Sequence, residues 1–211
     1  MLHRGWARTR LHLTMTQARG FGHWAMNVID KKRTQDLTAS LLEAIGEDPK
    51  REGLKDTPRR VAEMYAELTS GYLMNPQEVL SREWNEVSGM VVAKNIDFAS
   101  LCEHHLLPFF GKVHIGYIPS KAVVGVSKLV RLVDCFSKRL QLQERMTKQI
   151  ADALNENLHP IGVVVVVQAR HLCMQVRGVK SGADILTSEI RGQFEKFETR
   201  NEFFNMLRNG G

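Results

Sequence analysis

Cysteine is scarce in this chain: Cys102, Cys135 and Cys173 are the only three among 211 residues. An odd, small number in a chain of this length argues against a disulfide framework and for a reducing compartment, which leaves metal binding, catalysis or burial as their uses. Long apolar runs are also missing. The longest, Val163 to Val167, is strand-like and far short of the roughly 18 residues of a membrane span, so the sequence reads as a soluble, cytoplasmic protein that does not enter membranes. Acidic residues are absent from the first 29 positions, which carry Arg4, Arg8, Arg10 and Arg19. Such a start suits a mitochondrial transit peptide, but serine is absent too, and Trp6, Phe21 and Trp24 follow no helical order. Residues 1–33 therefore read as a disordered extension, or as sequence ahead of a later start at Met15 or Met26. There is no internal repeat and no low-complexity segment.

What is present suffices for a folded core. Hydrophobic residues make up 43% and charged residues 25%, proportions of an ordinary globular domain. The net charge of +6 suggests an anionic partner. Nucleic acid would call for a dense basic stripe or a recognisable binding motif, and neither occurs. A small phosphorylated ligand needs only a few well-placed cations, and mere solubility accounts for the charge equally well.

The periodicity divides the chain into a helical region, 34–86, and a larger domain, 87–211. Leu37, Leu41, Leu42 and Ile45 fall on one helical face, ended by Gly46 to Pro49. Thr57 is placed to cap a second helix with Pro58 at its first position, and Val61, Met64, Tyr65 and Leu68 form its stripe. From Val87 the texture is that of strands: Met90 to Cys102, then Phe109 to Ile118. Two helices follow, the first capped by Ser127 and burying Leu129, Leu132, Val133 and Phe136. The second buries Leu142, Met146, Ile150, Ala153 and Leu154. A valine-rich strand from Gly162 to Ala169, a partner near Leu186 to Phe194 and a short helix at Glu202 to Leu207 complete the pattern. This order predicts an α+β fold: an antiparallel four-stranded sheet with two long helices on one face, preceded by the N-terminal helical region. Two open sheet edges invite a homo-oligomer.

The densest chemical signal is Cys102-Glu103-His104-His105. Cys102 and His105 are close enough for one turn of chain to aim both at a single ion, and thiolate and imidazole are ligands that zinc prefers. Cys173, directly after the valine-rich strand, offers a third. Three such ligands leave one tetrahedral position open, the arrangement of catalytic zinc, whose bound water ionises near pH 7. Cys135, beside Phe136 with no histidine near it, reads as packing. His104 and His171 flank the ligands, suited either to proton transfer or to holding a ligand by a hydrogen bond. Lys128 and Arg131 lie on one face of a helix start, and Arg177 follows Cys173 by four residues; each is a phosphate contact or a solvated cation. Gln143 and Glu144 open the next helix, as ligand readers or as exposed first-turn residues favoured by the helix dipole.

Taken together, these segments resemble the GTP cyclohydrolase I family from about Thr34 to the C-terminus. The matching stretches are Gly53 to Val61, Cys102 to Phe109, Gly125 to Arg131, Gln141 to Thr147 and His171 to Val179, five blocks in the family's order. The resemblance implies a tunnelling fold, assembled as a ring of five sheets and stacked into a decamer with sites between subunits. It implies zinc on Cys102, His105 and Cys173, and zinc-bound water attacking C8 of GTP. Formate leaves, the ribose rearranges, and the ring recloses to 7,8-dihydroneopterin triphosphate. His104 and His171 match the acid–base groups, and Glu144 with Gln143 the reader of guanine. Ser127, Lys128, Arg131 and Arg177 match residues facing the ribose and triphosphate, Glu103 lies in the pocket wall, and Arg60 reaches a neighbour's triphosphate. One stretch departs from the pattern: Lys180 to Ser188 stands where the family has a Ser/Thr-rich run about one residue longer. The competing readings are a tunnelling-fold protein that binds GTP or a pterin without turnover and a structural zinc protein. The full set of catalytic-type residues speaks against the first, and the open ligand position against the second. A tunnelling-fold nitrile reductase is disfavoured because the Cys-Glu-His-His block belongs to the hydrolase.

Overall fold

The computed structural model describes residues 29–81, 83–85 and 89–209. The expected extension therefore lies, up to residue 28, outside the described residues, as does Val87. Helix α1 (Lys31–Ala44) begins three residues before the expected start of the helical region at 34, because Asp30 caps it: the Asp30 carboxylate accepts from Arg33 N–H at 2.9 Å. Helix α2 (Thr57–Leu68) is capped by Asp56 without a side-chain bond, so Thr57 and Pro58 are its first two residues. The two helices pack on each other, yet the α1 stripe is not buried: Leu37, Leu41 and Ile45 are 61%, 60% and 66% exposed. The stripe is real, but none of the described residues covers it. In α2 only Ala62 is fully buried. A 3₁₀ turn (Ser70–Leu73) and the short α3 (Pro76–Val79) lead to β1 (Glu83–Trp84).

Strands β2 (Val91–Cys102) and β3 (Pro108–Ile118) form a long hairpin with a bulge at Ala93 to Ile96, where Asn95 takes a φ of 60°. The short β4 (Val123–Val124) pairs with β1, and α4 (Val126–Ser137) follows from Gly125, its cap; Ser127 is a helical residue with no capping bond. Then come β5 (Leu140–Gln141), α5 (Gln143–Leu158), β6 (Gly162–His171), α6 (Leu172–Gln175), β7 (Asp184–Gly192) and α7 (Phe197–Asn209). The main sheet has five strands in the order β5-β2-β3-β6-β7. The α+β class holds, but the expected four-stranded antiparallel sheet does not: the four long strands run antiparallel to their neighbours within a sheet of five. The two-residue β5, parallel to β2, makes the sheet mixed.

Helix α4 covers β2, and α5 covers β6 and β7. Between them lies the main core, including Phe109, Val113, Ile115, Leu129, Phe136, Met146, Ile150, Val163, Val165 and Val167. The opposite face is covered too, in part. Phe194 and Phe203 of the C-terminal segment seal Val164 and Val166. Five successive valines place apolar groups on both faces of a strand, so both need cover. Gly116 makes room for it, since a Cβ there would stand 2.7–2.8 Å from the Phe203 ring and Val164. Among the described residues, the outer edge of β7 and the outer edge of β2 from Val91 to Ser100 have no strand partner.

One ion-pair network ties α5 to β7. Asp152 accepts from Arg191 at 2.9 Å and Lys148 at 2.7 Å, and Arg191 also pairs with Glu189. Burial alone would raise the Asp152 carboxyl, but the hydrogen bonds from Lys148 and Arg191 more than reverse it and hold the pKa below its ordinary value. A depressed carboxylate pKa stabilises the fold above the unfolded-state value, and that stability is lost as the pH falls through the folded-state value. Asp152→Asn is therefore expected to lower Tm at pH 7 by about 2–4 °C, corresponding to about 1 kcal/mol. The two proteins should converge in acid, which thermal melts across pH 2.5–7 check.

Candidate metal centre and its surroundings

The antiparallel order brings the end of β2, the start of β3 and the end of β6 to one edge of the sheet. Cys102 closes β2 and is 6% exposed. The chain then turns back on itself: the N–H groups of His105 and Leu106 donate to the Cys102 carbonyl at 3.2 and 2.8 Å. Leu106 adopts a left-handed φ of 55°, and Cys102 N–H donates to the Leu107 carbonyl at 2.9 Å. This turn folds His105 onto Cys102, with Nδ1 3.8 Å from Sγ. Cys173, in the single-turn α6 after β6, is 7% exposed. The ligand atoms of Cys102, His105 and Cys173 all lie within 4.8 Å of one another. A tetrahedral zinc site with ordinary bond lengths has ligand–ligand edges of roughly 3.5–3.8 Å, so two thiols and an imidazole here fit such an ion with about 1 Å of adjustment. Burial pushes the Cys173 thiol above its ordinary pKa, and the neighbouring Cys102 adds to this. A divalent cation would reverse that balance by stabilising thiolate. Cys135 is buried in α4 away from the cluster, as expected, accepting from Arg139 Nη2 at 3.3 Å.

His171 is the last residue of β6, in register with Phe109. The two rings stack with centroids 4.6 Å apart and planes 5° from parallel. Burial lowers the pKa of His171, while the Glu144 carboxylate acts in the opposite direction, which places Glu144 near this imidazole. His104 is exposed, its ring 6.1 Å from that of His105. Glu144 lies exposed in the first turn of α5, but Gln143 beside it is 1% exposed. Its amide is turned inward, bonded to His171, Val167, Ile185 and Thr187. Arg177 donates to the Cys173 carbonyl at 3.1 Å.

Glu103 pairs with Arg145 through two bonds of 2.6 and 3.0 Å. Those bonds hold its carboxyl below the ordinary pKa and fasten the Cys102 turn to the start of α5. Arg145, Phe109 and Thr187 were missed as site residues. Arg145 and Phe109 lie inside matching blocks, but only coordinates show which carboxylate the arginine holds and which ring the phenylalanine meets.

Not every expected residue converges here. Val124 N–H donates to Tyr117 Oη at 3.1 Å, which seats the start of α4 beside the far end of β3. Phe109 to Tyr117 spans roughly 25 Å of strand, so exposed Ser127 and half-buried Lys128 stand far from their own chain's Cys102, with Arg131 one turn along. The other end of α4 returns to the cluster, where Ser100 Oγ donates to the Arg139 carbonyl. Arg60 is on α2, 3.6 Å from Asp56.

Comparisons with known proteins identify the family. A model of the family described as GTP cyclohydrolase I matches residues 34–208. The chain is 52% identical to GTP cyclohydrolase 1 of Bacteroides thetaiotaomicron over 174 residues, 81% of this chain and 89% of that protein. It is 52% identical to GTP cyclohydrolase 1 of Campylobacter jejuni over 84% of this chain and 95% of that one. With GTP cyclohydrolase 1 of Carboxydothermus hydrogenoformans it shares 54% identity over 79% and 88% of the two chains. A solved structure of an archaeosine synthase, QueF-Like, in the apo form overlaps at a TM-score of 0.42 and 20% identity. That overlap spans 51% of this chain and 97% of the other, too little to bear weight.

Proposed function

This chain belongs to the GTP cyclohydrolase I family, and from that premise we infer that it is an enzyme converting GTP to 7,8-dihydroneopterin triphosphate. The guanine imidazole ring is opened hydrolytically, formate leaves, the ribose rearranges and the ring recloses. The observation that carries the chemistry is the convergence of Cys102, His105 and Cys173. A zinc ion held by these residues would supply a hydroxide nucleophile at neutral pH.

The protein's own side chains do the rest. His171 and His104 move protons to and from the opening ring. The Glu144 carboxylate accepts from the guanine N1–H and 2-amino group, with Gln143 behind it. Glu103, clamped by Arg145, borders the pocket. Arg177 faces the phosphates from the metal side. Ser127, Lys128 and Arg131 face the ribose and triphosphate, but their distance from their own chain's cluster means that a second copy brings them to the site, with Arg60 a further contact from a neighbour. Unpaired edges on β2 and β7 favour the same assembly, a ring of tunnelling-fold sheets stacked into a homodecamer in the cytoplasm. Within it, residues 34–86 form the helical region and 87–211 the catalytic domain.

Formate release from GTP by purified protein, measured beside its metal content, tests the reading. Retained GTP without formate would favour a binding protein. Arg145→Ala frees the turn that carries two of the three ligands, and is expected to weaken zinc retention by roughly 10-fold, the scale of losing a supporting contact. Competition with a chelator checks this, and an unchanged affinity would confine the Glu103–Arg145 pair to the surface.

A further inference from the structure

Gln143 makes four hydrogen bonds with one amide. Its Nε2 lies 3.1 Å from the Val167 carbonyl, 3.0 Å from the Ile185 carbonyl and 3.2 Å from Thr187 Oγ1. Its Oε1 lies 2.8 Å from His171 Nε2. Backbone carbonyls only accept, so the amide cannot be turned around without setting oxygen against oxygen. The hydroxyls close the same argument. Thr147 Oγ1 donates to the Gln143 carbonyl at 2.7 Å, so in its 2.6 Å contact with Thr187 the proton comes from Thr187. The free lone pair of Thr187 then receives the amide N–H. The two amide protons are shared among three acceptors, all on the Nε2 side, and Oε1 is left as a pure acceptor facing the imidazole.

The geometry points to Gln143 as a positioning residue: it fixes His171 as the Nε2–H tautomer, so that Nδ1 is the nitrogen left to meet the reactant. No described residue bonds Nδ1. Phe109, stacked on the ring, holds the plane in which the selection operates. Val167, Ile185 and Thr187 belong to β6 and β7, so the sheet itself sets the amide. The assignment rests on the reading of His171 as an acid–base group, and it takes Gln143's side chain out of the recognition of guanine, leaving that to Glu144.

Removing the acceptor while keeping the volume tests this. Gln143→Met is expected to lower kcat by roughly 10- to 100-fold, the scale of an outer contact that orients a working group. KM for GTP and zinc per chain should stay within about twofold. In a His171→Ala background the same substitution should change formate release by less than about twofold, because a residue acting only through His171 has nothing left to act on. A tenfold rise in KM with kcat preserved would instead make Gln143 a reader of substrate. Equal losses in both backgrounds would mean that it acts independently of His171. Wild-type turnover by His171→Ala alone removes the premise, and the proposal with it, whatever Gln143→Met does. Should Gln143→Met fail to fold, Thr187→Val leaves Oε1 on the imidazole and removes one anchor. It should lower kcat by roughly three- to tenfold at constant KM, and an unchanged kcat there would overturn the assignment.

Discussion

Cys173→Ser is expected to purify without zinc and to release no formate from GTP. The substitution removes one thiolate from a set of three, and a serine hydroxyl stays protonated at neutral pH where a metal-bound cysteine does not. Two ligands, Cys102 and His105, are then left on one short turn. The loss of affinity should exceed the roughly 10- to 100-fold that accompanies loss of an outer-shell contact. Folding should survive, because serine is close to cysteine in size and Cys173 sits in a single-turn helix at the margin of the core. Elemental analysis after dialysis, paired with the formate assay, checks both outcomes. Wild-type zinc and turnover in this variant would strike Cys173 from the ligand set.

Glu144→Ala separates recognition from metal binding. A carboxylate that accepts two N–H bonds from guanine contributes two charge-assisted hydrogen bonds, together about 3–6 kcal/mol, so kcat/KM for GTP should fall by roughly 100- to 10,000-fold. Zinc content should not change, since Glu144 is not among the three converging ligands. The variant should also lose the preference for GTP over inosine triphosphate, which lacks the 2-amino group. A variant that handles GTP as well as the parent would place guanine recognition elsewhere.

The sequence made some of this arrangement legible and hid other parts for identifiable reasons. The four long strands and the buried faces of α4 and α5 follow directly from periodicity, because the apolar residues at those positions have a core to face. The same logic misled at α1, where Leu37, Leu41 and Ile45 form a true stripe that stays exposed in the single chain; periodicity reports that a face needs cover, not which chain covers it. Cover on the second face by Phe194 and Phe203 was signalled by the valine run of β6, whose two faces are equally apolar, but a sheet clothed on one side was the simpler expectation. Cys102 and His105 were readable as a pair because they stand only three positions apart. Ser127 and Lys128 were tied to the same site through the family resemblance, and Tyr117's hold on Val124 puts them at the other end of the sheet. Gln143 was singled out as a reader of guanine, but its contacts within the fold were hidden most completely. A glutamine opening a helix is usually solvated, and its commitment to His171, Val167, Ile185 and Thr187 depends on strands 24 to 44 residues away in the chain.

X-ray absorption at the zinc edge of the purified protein tests the central claim most directly. The account predicts a first shell of two sulfur neighbours at about 2.3 Å and two nitrogen or oxygen neighbours at about 2.0–2.1 Å. A shell without sulfur, or protein that retains no zinc while still releasing formate from GTP, would contradict it.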